Sequence, residues 1–116
     1  MSIRKLERDA WGGFCIRASR FFLGKQADIE VVSLQIGFQT EARRLPIIGM
    51  SYDPKSDVLR LLLGTLSYFI RSPRELYVDE GPLGIISFEV IDAEGMRQIV
   101  TLQDPLLLPA PRLSRT

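Results

Sequence analysis

The chain has 116 residues, no histidine and a single cysteine, Cys15, with 46% hydrophobic residues, 25% charged residues and a formal net charge of +1. A chain of this size can carry one hydrophobic core, and the missing imidazole removes Ser-His and Cys-His nucleophile pairs, ordinary zinc sites and the general base that titrates near neutrality. The near-neutral charge gives no sequence-wide attraction to nucleic acid or anionic lipid, no window approaches the ~20 apolar residues of a transmembrane helix, and a lone cysteine suits a reducing compartment. The expectation is therefore a cytoplasmic domain without membrane contact.

At the N-terminus, Arg4, Lys5, Glu7, Arg8 and Asp9 leave no continuous apolar stretch, unlike a signal peptide. From Asp9 to about Leu23, Trp11, Phe14, Cys15, Ala18, Phe21 and Phe22 recur at three- and four-residue spacing. That spacing predicts an amphipathic helix, with Asp9 as its N-cap and Gly24 ending it. Gly12 and Gly13 weaken its first turn by up to ~1 kcal/mol each, so the helix depends on docking its aromatic stripe.

After Gly24 the period changes to two. Asp28, Glu30 and Val32 alternate with Ile29, Val31 and Ser33 in a first strand. Leu45 to Tyr52 and Val58 to Leu63 form a hairpin around Asp53-Pro54-Lys55-Ser56-Asp57, where proline sets φ and the flanking polar side chains bond the local backbone. Leu66 to Ile70 and Glu75 to Val78 are separate strands broken at Ser72-Pro73. Asp79 to Gly84 reads as a loop. Ile85 to Ile91 and Met96 to Leu102 form a last hairpin, with Gly95 at the left-handed position of a bulged turn.

The fold expected from this order is α+β: an N-terminal helix followed by a strongly bent antiparallel sheet of about six strands, with closure into a small Sm- or SH3-like barrel as its curled form. Residues 1–103 make the single globular domain. Residues 104–116 make a proline-rich tail in which Pro105, Pro109 and Pro111 space Leu106, Leu107 and Leu108.

Four stretches carry a family resemblance: Leu6-Glu7-Arg8-Asp9-Ala10-Trp11, Leu45 through Lys55, Ser72-Pro73-Arg74-Glu75, and Val90 through Gly95. Together they resemble a family of small bacterial proteins catalogued as a domain of unknown function, number 5335, over nearly the whole chain. These motifs are turn chemistry and core pattern, so the resemblance implies a fold and supplies no catalytic residues. In that family a histidine often stands near the position of Tyr68, and tyrosine here carries no imidazole role across.

Several residues remain as candidates. The pair Arg43 and Arg44, joined by Arg71 and Arg74 where the strands align, is the best anion- or RNA-binding set, against the alternative of a charged, solvated sheet edge. Tyr52 and Tyr68 offer ligand contact or base stacking, against the alternative of cross-strand pairs. Asp53 and Asp57 read as turn caps, since two carboxylates and a serine fall short of the 6 to 8 oxygens calcium takes. Cys15, on the apolar stripe, reads as a buried inert thiol. No metal ligand set, phosphate loop, Gly-x-Ser-x-Gly elbow or Cys-x-x-Cys occurs, and no cofactor is expected. The functional expectation is a non-enzymatic domain acting through protein contacts or self-association. The alternatives are an Sm-like RNA-binding module and a small-ligand protein or enzyme working without histidine.

Overall fold

A computed structural model describes residues 2–35 and 37–105; the tail reading of Leu106 to Leu108 lies outside the described residues. Its elements are β1 (Ser2–Leu6), a 3-10 turn (Arg8–Ala10), α1 (Trp11–Phe21), β2 (Gln26–Ser33), β3 (Gly37–Asp53), β4 (Val58–Leu63), β5 (Leu66–Arg71), β6 (Pro73–Gly81), β7 (Gly84–Asp92) and β8 (Arg97–Gln103). The strands form one sheet in the order β1-β6-β7-β8-β2-β3-β4-β5, and every neighbouring pair is antiparallel.

The α+β class and the antiparallel sheet stand, but the sheet has eight strands rather than about six, and it is open rather than closed into an Sm- or SH3-like barrel. β1 and β5 are its two ends. Closure is not needed to bury the apolar face, because α1 lies against β3 and β7 and fills that side. One apolar cluster joins Trp11, Phe14, Cys15 and Ala18 of the helix, and Phe22 just after its end, to buried residues from every strand, from Leu6 in β1 to Val100 in β8. Phe88 of β7 sits in an edge-on contact with Phe14, 6.2 Å between ring centroids, and stacks with Phe22 at 6.2 Å.

β3 serves two neighbours in turn. Gly37 to Pro46 pairs with β2, and Ile47 to Asp53 pairs with β4. Along the first half a bulge sets Arg43 and Arg44 opposite Asp28, with Arg44 at a φ of 51°. The Asp28 carboxylate accepts the Arg44 backbone N–H at 2.6 Å, holding this left-handed residue in place.

The helix differs from expectation at its start. A 3-10 turn precedes it and Ala10 occupies the N-cap without a side-chain hydrogen bond, so Asp9 does not cap it. The turns follow their residue chemistry. Asp53 accepts the Lys55 N–H at 3.0 Å and the Ser56 hydroxyl at 2.9 Å, which holds its carboxyl below the usual range. Asp92 accepts the N–H groups of Glu94 and Met96 at 2.9 and 3.0 Å, and Gly95 takes a φ of 83°. The segment read as a loop from Asp79 to Gly84 is instead a tight hairpin. β6 continues to Gly81, β7 begins at Gly84, and only Pro82 and Leu83 lie between.

Candidate contact edge and polar cleft

Two features stand apart from the core: the outer edge of β5, which pairs with no other strand among the described residues, and a cleft where the start of the helix meets the β3–β4 turn. In β5, Ile70 is buried and Tyr68 half-buried, facing the apolar cluster, while Phe69 points to the other face with 50% of its surface exposed. Leu66, at the strand's start, is 48% exposed. The strand pairs with β4 in uninterrupted register from Val58↔Arg71 to Leu63↔Leu66, so no bulge twists it away. Its sole charge is Arg71, at its end. The opposite end of the sheet is different in kind, since β1 carries Arg4 and Lys5, with Arg4 paired to Glu80 at 3.0 Å. Charge and shortness are the ordinary means by which an edge strand is kept from pairing with another chain. In length the two edges are alike, 5 residues in β1 and 6 in β5, so it is charge that sets them apart.

The cleft, of about 770 Å³, is lined by Arg8, Asp9, Gly12, Tyr52, Pro54 and Asp57. Arg8 stands one turn ahead of Trp11 and lays its guanidinium over the indole at 4.5 Å from the ring centroid. From there it donates to the Tyr52 hydroxyl at 2.8 Å, to the Asp57 carboxylate at 3.3 Å and to the Pro73 carbonyl at 2.9 Å. Tyr52 donates to Asp57 at 2.7 Å and meets the Trp11 ring edge-on at 5.1 Å. Burial first, and the hydrogen bond to Asp57 second, push the Tyr52 phenol above its ordinary pKa. Asp57 turns at a φ of 55°, and its carboxylate binds Arg8 and Tyr52 across the cleft; the turn's local backbone bonds go to Asp53 instead.

Tyr68 lies on β5 opposite Leu61, its ring against the apolar cluster, and burial together with Glu41 and Asp92 pushes its phenol up to about 12. Burial likewise lifts the Cys15 thiol to about 11. None of these three groups ionises near neutral pH, so none is poised as a base or nucleophile. Among the described residues no group of three or more acidic or cysteine side chains is placed to hold a metal ion, and no helix is long and apolar enough to cross a membrane.

The four arginines do not form one set. Arg43 and Arg44 sit in the part of β3 paired with β2, whereas Arg71 aligns with Val58 and Asp53 at the other end of that strand, and Arg74 follows Pro73 at the start of β6. Arg44 is spent on structure. Its guanidinium donates to Gln103 and, at 3.2 Å, to the Asp104 carbonyl, while Gln103 donates to Asp28 at 3.1 Å. Arg43 is exposed. Sequence reasoning passed over Arg8 and Phe69. For Arg8 the available signal was its position three residues before Trp11; for Phe69 it was parity, since it falls on the face opposite Tyr68 and Ile70.

Compared with known proteins, residues 2–111 match the model of a family described as a family of unknown function, DUF5335. The chain belongs to this family. The DUF5335 match spans both the cleft and the β5 edge. An uncharacterized protein of Aquifex aeolicus (strain VF5) is 33% identical over 110 residues, covering 94% of this chain and 99% of that relative. No solved structure matches the chain.

Proposed function

We propose that this DUF5335 protein is a non-enzymatic cytoplasmic domain that acts by protein contact, taking a strand of its partner onto the outer edge of β5. The observation that carries this is the contrast between the sheet's two ends: a charged β1, and a regular β5 with Phe69 and Leu66 half exposed and no charge before Arg71. Strand addition satisfies the edge's unpaired backbone groups and gives alternate side chains a surface to pack on. Contact rather than chemistry also fits the high ionisation thresholds of Cys15 and Tyr68. Protein rather than nucleic acid fits the net charge of +1 and the commitment of Arg44 to Gln103 and Asp104.

The test is residue-resolved. Isotope-labelled protein is recorded by NMR, dilute and alone, then in unlabelled lysate of the cells that make it. Broadening or slowed amide exchange centred on Leu66 to Arg71, and abolished by Phe69→Lys, is the expected result. Amides of β5 that behave identically in both conditions, in a chain that sediments as a monomer, would overturn the reading.

A further inference from the structure

We infer that the strand received by β5 is β5 of a second copy of this chain, antiparallel and in the register that sets Phe69 against the partner subunit's Phe69. The inference rests on the reading of β5 as the contact edge. In an antiparallel pair, opposed residues share a face, so a two-fold axis at this edge must pass through a residue that opposes itself. Tyr68 and Phe69 are the central choices. Tyr68 already packs against the cluster within its own subunit, whereas the ring of Phe69 is half exposed on the other face. Centring on Phe69 buries that ring against its equivalent as a cross-strand aromatic pair. The same register lays Tyr68 against Ile70 and Arg71 against Ser67, a guanidinium facing a hydroxyl rather than another guanidinium.

Charge does not oppose this pairing. Behind Phe69, in the same row of β4, stands the exposed Arg60. Its counterpart in the second copy would be three strand spacings away, about 14 Å at the usual interstrand distance, which exceeds the screening length of ~8 Å at physiological salt. At β1 the corresponding self-pairing would crowd Arg4 and Lys5 of two chains around one axis.

Two measurements on the full chain test this. Sedimentation from low micromolar to near-millimolar concentration should show mass rising toward that of a dimer, with Phe69→Lys weakening association roughly tenfold or more by setting like charges face to face across the axis. Under mild oxidation, Phe69→Cys should cross-link efficiently, because position 69 meets itself and the buried Cys15 stays out of reach. Ser67→Cys should not, since it faces position 71. Circular dichroism of each variant checks that it folds, and the cross-link test stands independently of Phe69→Lys. A chain that stays monomeric throughout, or a Ser67→Cys variant that cross-links as well as Phe69→Cys, overturns the second-copy inference. If β5 amides still broaden in lysate, the contact edge survives with a different occupant; if they do not, both readings fall together.

Discussion

The hydroxyl of Ser19 on α1 binds both backbone groups of Met50 on β3: it donates to the Met50 carbonyl at 3.1 Å and accepts the Met50 N–H at 3.0 Å. The reason lies in the sheet. Beyond Pro46, β3 has left β2, so backbone groups facing away from β4 have no strand to meet. With both of its groups turned to Ser19, Met50 is in effect paired to the helix. Ser19→Ala should strand a donor and an acceptor in a partly buried place and cost ~1–3 kcal/mol. Denaturant unfolding measures it. Ser19→Thr, which keeps the hydroxyl, should recover part of the loss.

Trp11 is almost fully buried, donates its indole N–H to the Leu6 carbonyl at 3.2 Å, and supports both the Tyr52 ring and the Arg8 guanidinium. Trp11→Ala should cost ~3–5 kcal/mol, a large share of the stability of a domain of this size. A melting temperature left unchanged would contradict the docking of α1 described above.

The Arg8–Asp57 ion pair is half exposed on both sides and is worth little by itself, ~0.2–1 kcal/mol. Arg8 also packs on Trp11, which adds ~0.5–1 kcal/mol. Arg8→Ala should therefore cost ~1–2 kcal/mol in total. Asp57→Asn should cost less, because asparagine tolerates the left-handed backbone at 57, and Asp57→Ala more, because alanine tolerates it poorly. Thermal unfolding of the three variants should follow that order.

Alkaline pH should destabilise the fold. Cys15 is raised from 9.0 to about 11, and Tyr68 from 10.0 to about 12, chiefly by burial. A group whose folded pKa exceeds its unfolded value contributes stability that is complete below the unfolded pKa and lost as pH rises through the folded one. Stability should be flat from neutrality to about pH 9 as far as these groups act, then decline as the unfolded chain releases protons the native state retains. Denaturant midpoints measured against pH should show this decline, and Cys15→Ala should delay its onset toward the range where tyrosine titrates.

The sequence made the turns most legible, because Asp53-Pro54, Ser72-Pro73 and Asp92 with Gly95 carry their geometry in residue chemistry. The core stripe of α1 was equally plain in the spacing of Trp11, Phe14 and Ala18. What stayed hidden has one physical cause. Among the described side chains of β1 Leu6 alone is buried, and β3 from Gly37 to Glu41 is exposed on both faces, so neither shows apolar alternation; ladder hydrogen bonds to β6 and β2 make them strands. The cleft was half legible. Tyr52 stood out as an aromatic beside a turn, but its partner Arg8 lies 44 positions away in the chain, and Arg8 reaches Pro73 across 65. Only the folded chain brings those residues together.

The position of β8 between β7 and β2, with Gln26 aligned to Gln103, bears on how the molecule comes to exist. As the chain is synthesised, β2 can pair with β3 as soon as both emerge, and β3 with β4. The other side of β2 must wait for β8, which follows β3 to β7 in the chain. Until then one flank of β2 remains open to water and to other chains. The final closure joins segments far apart in the chain, a step that pays loop entropy late and should make folding slow for a protein of this length. Newborn copies would then be most exposed to mispairing just before β8 arrives, at β2 rather than at the β5 edge.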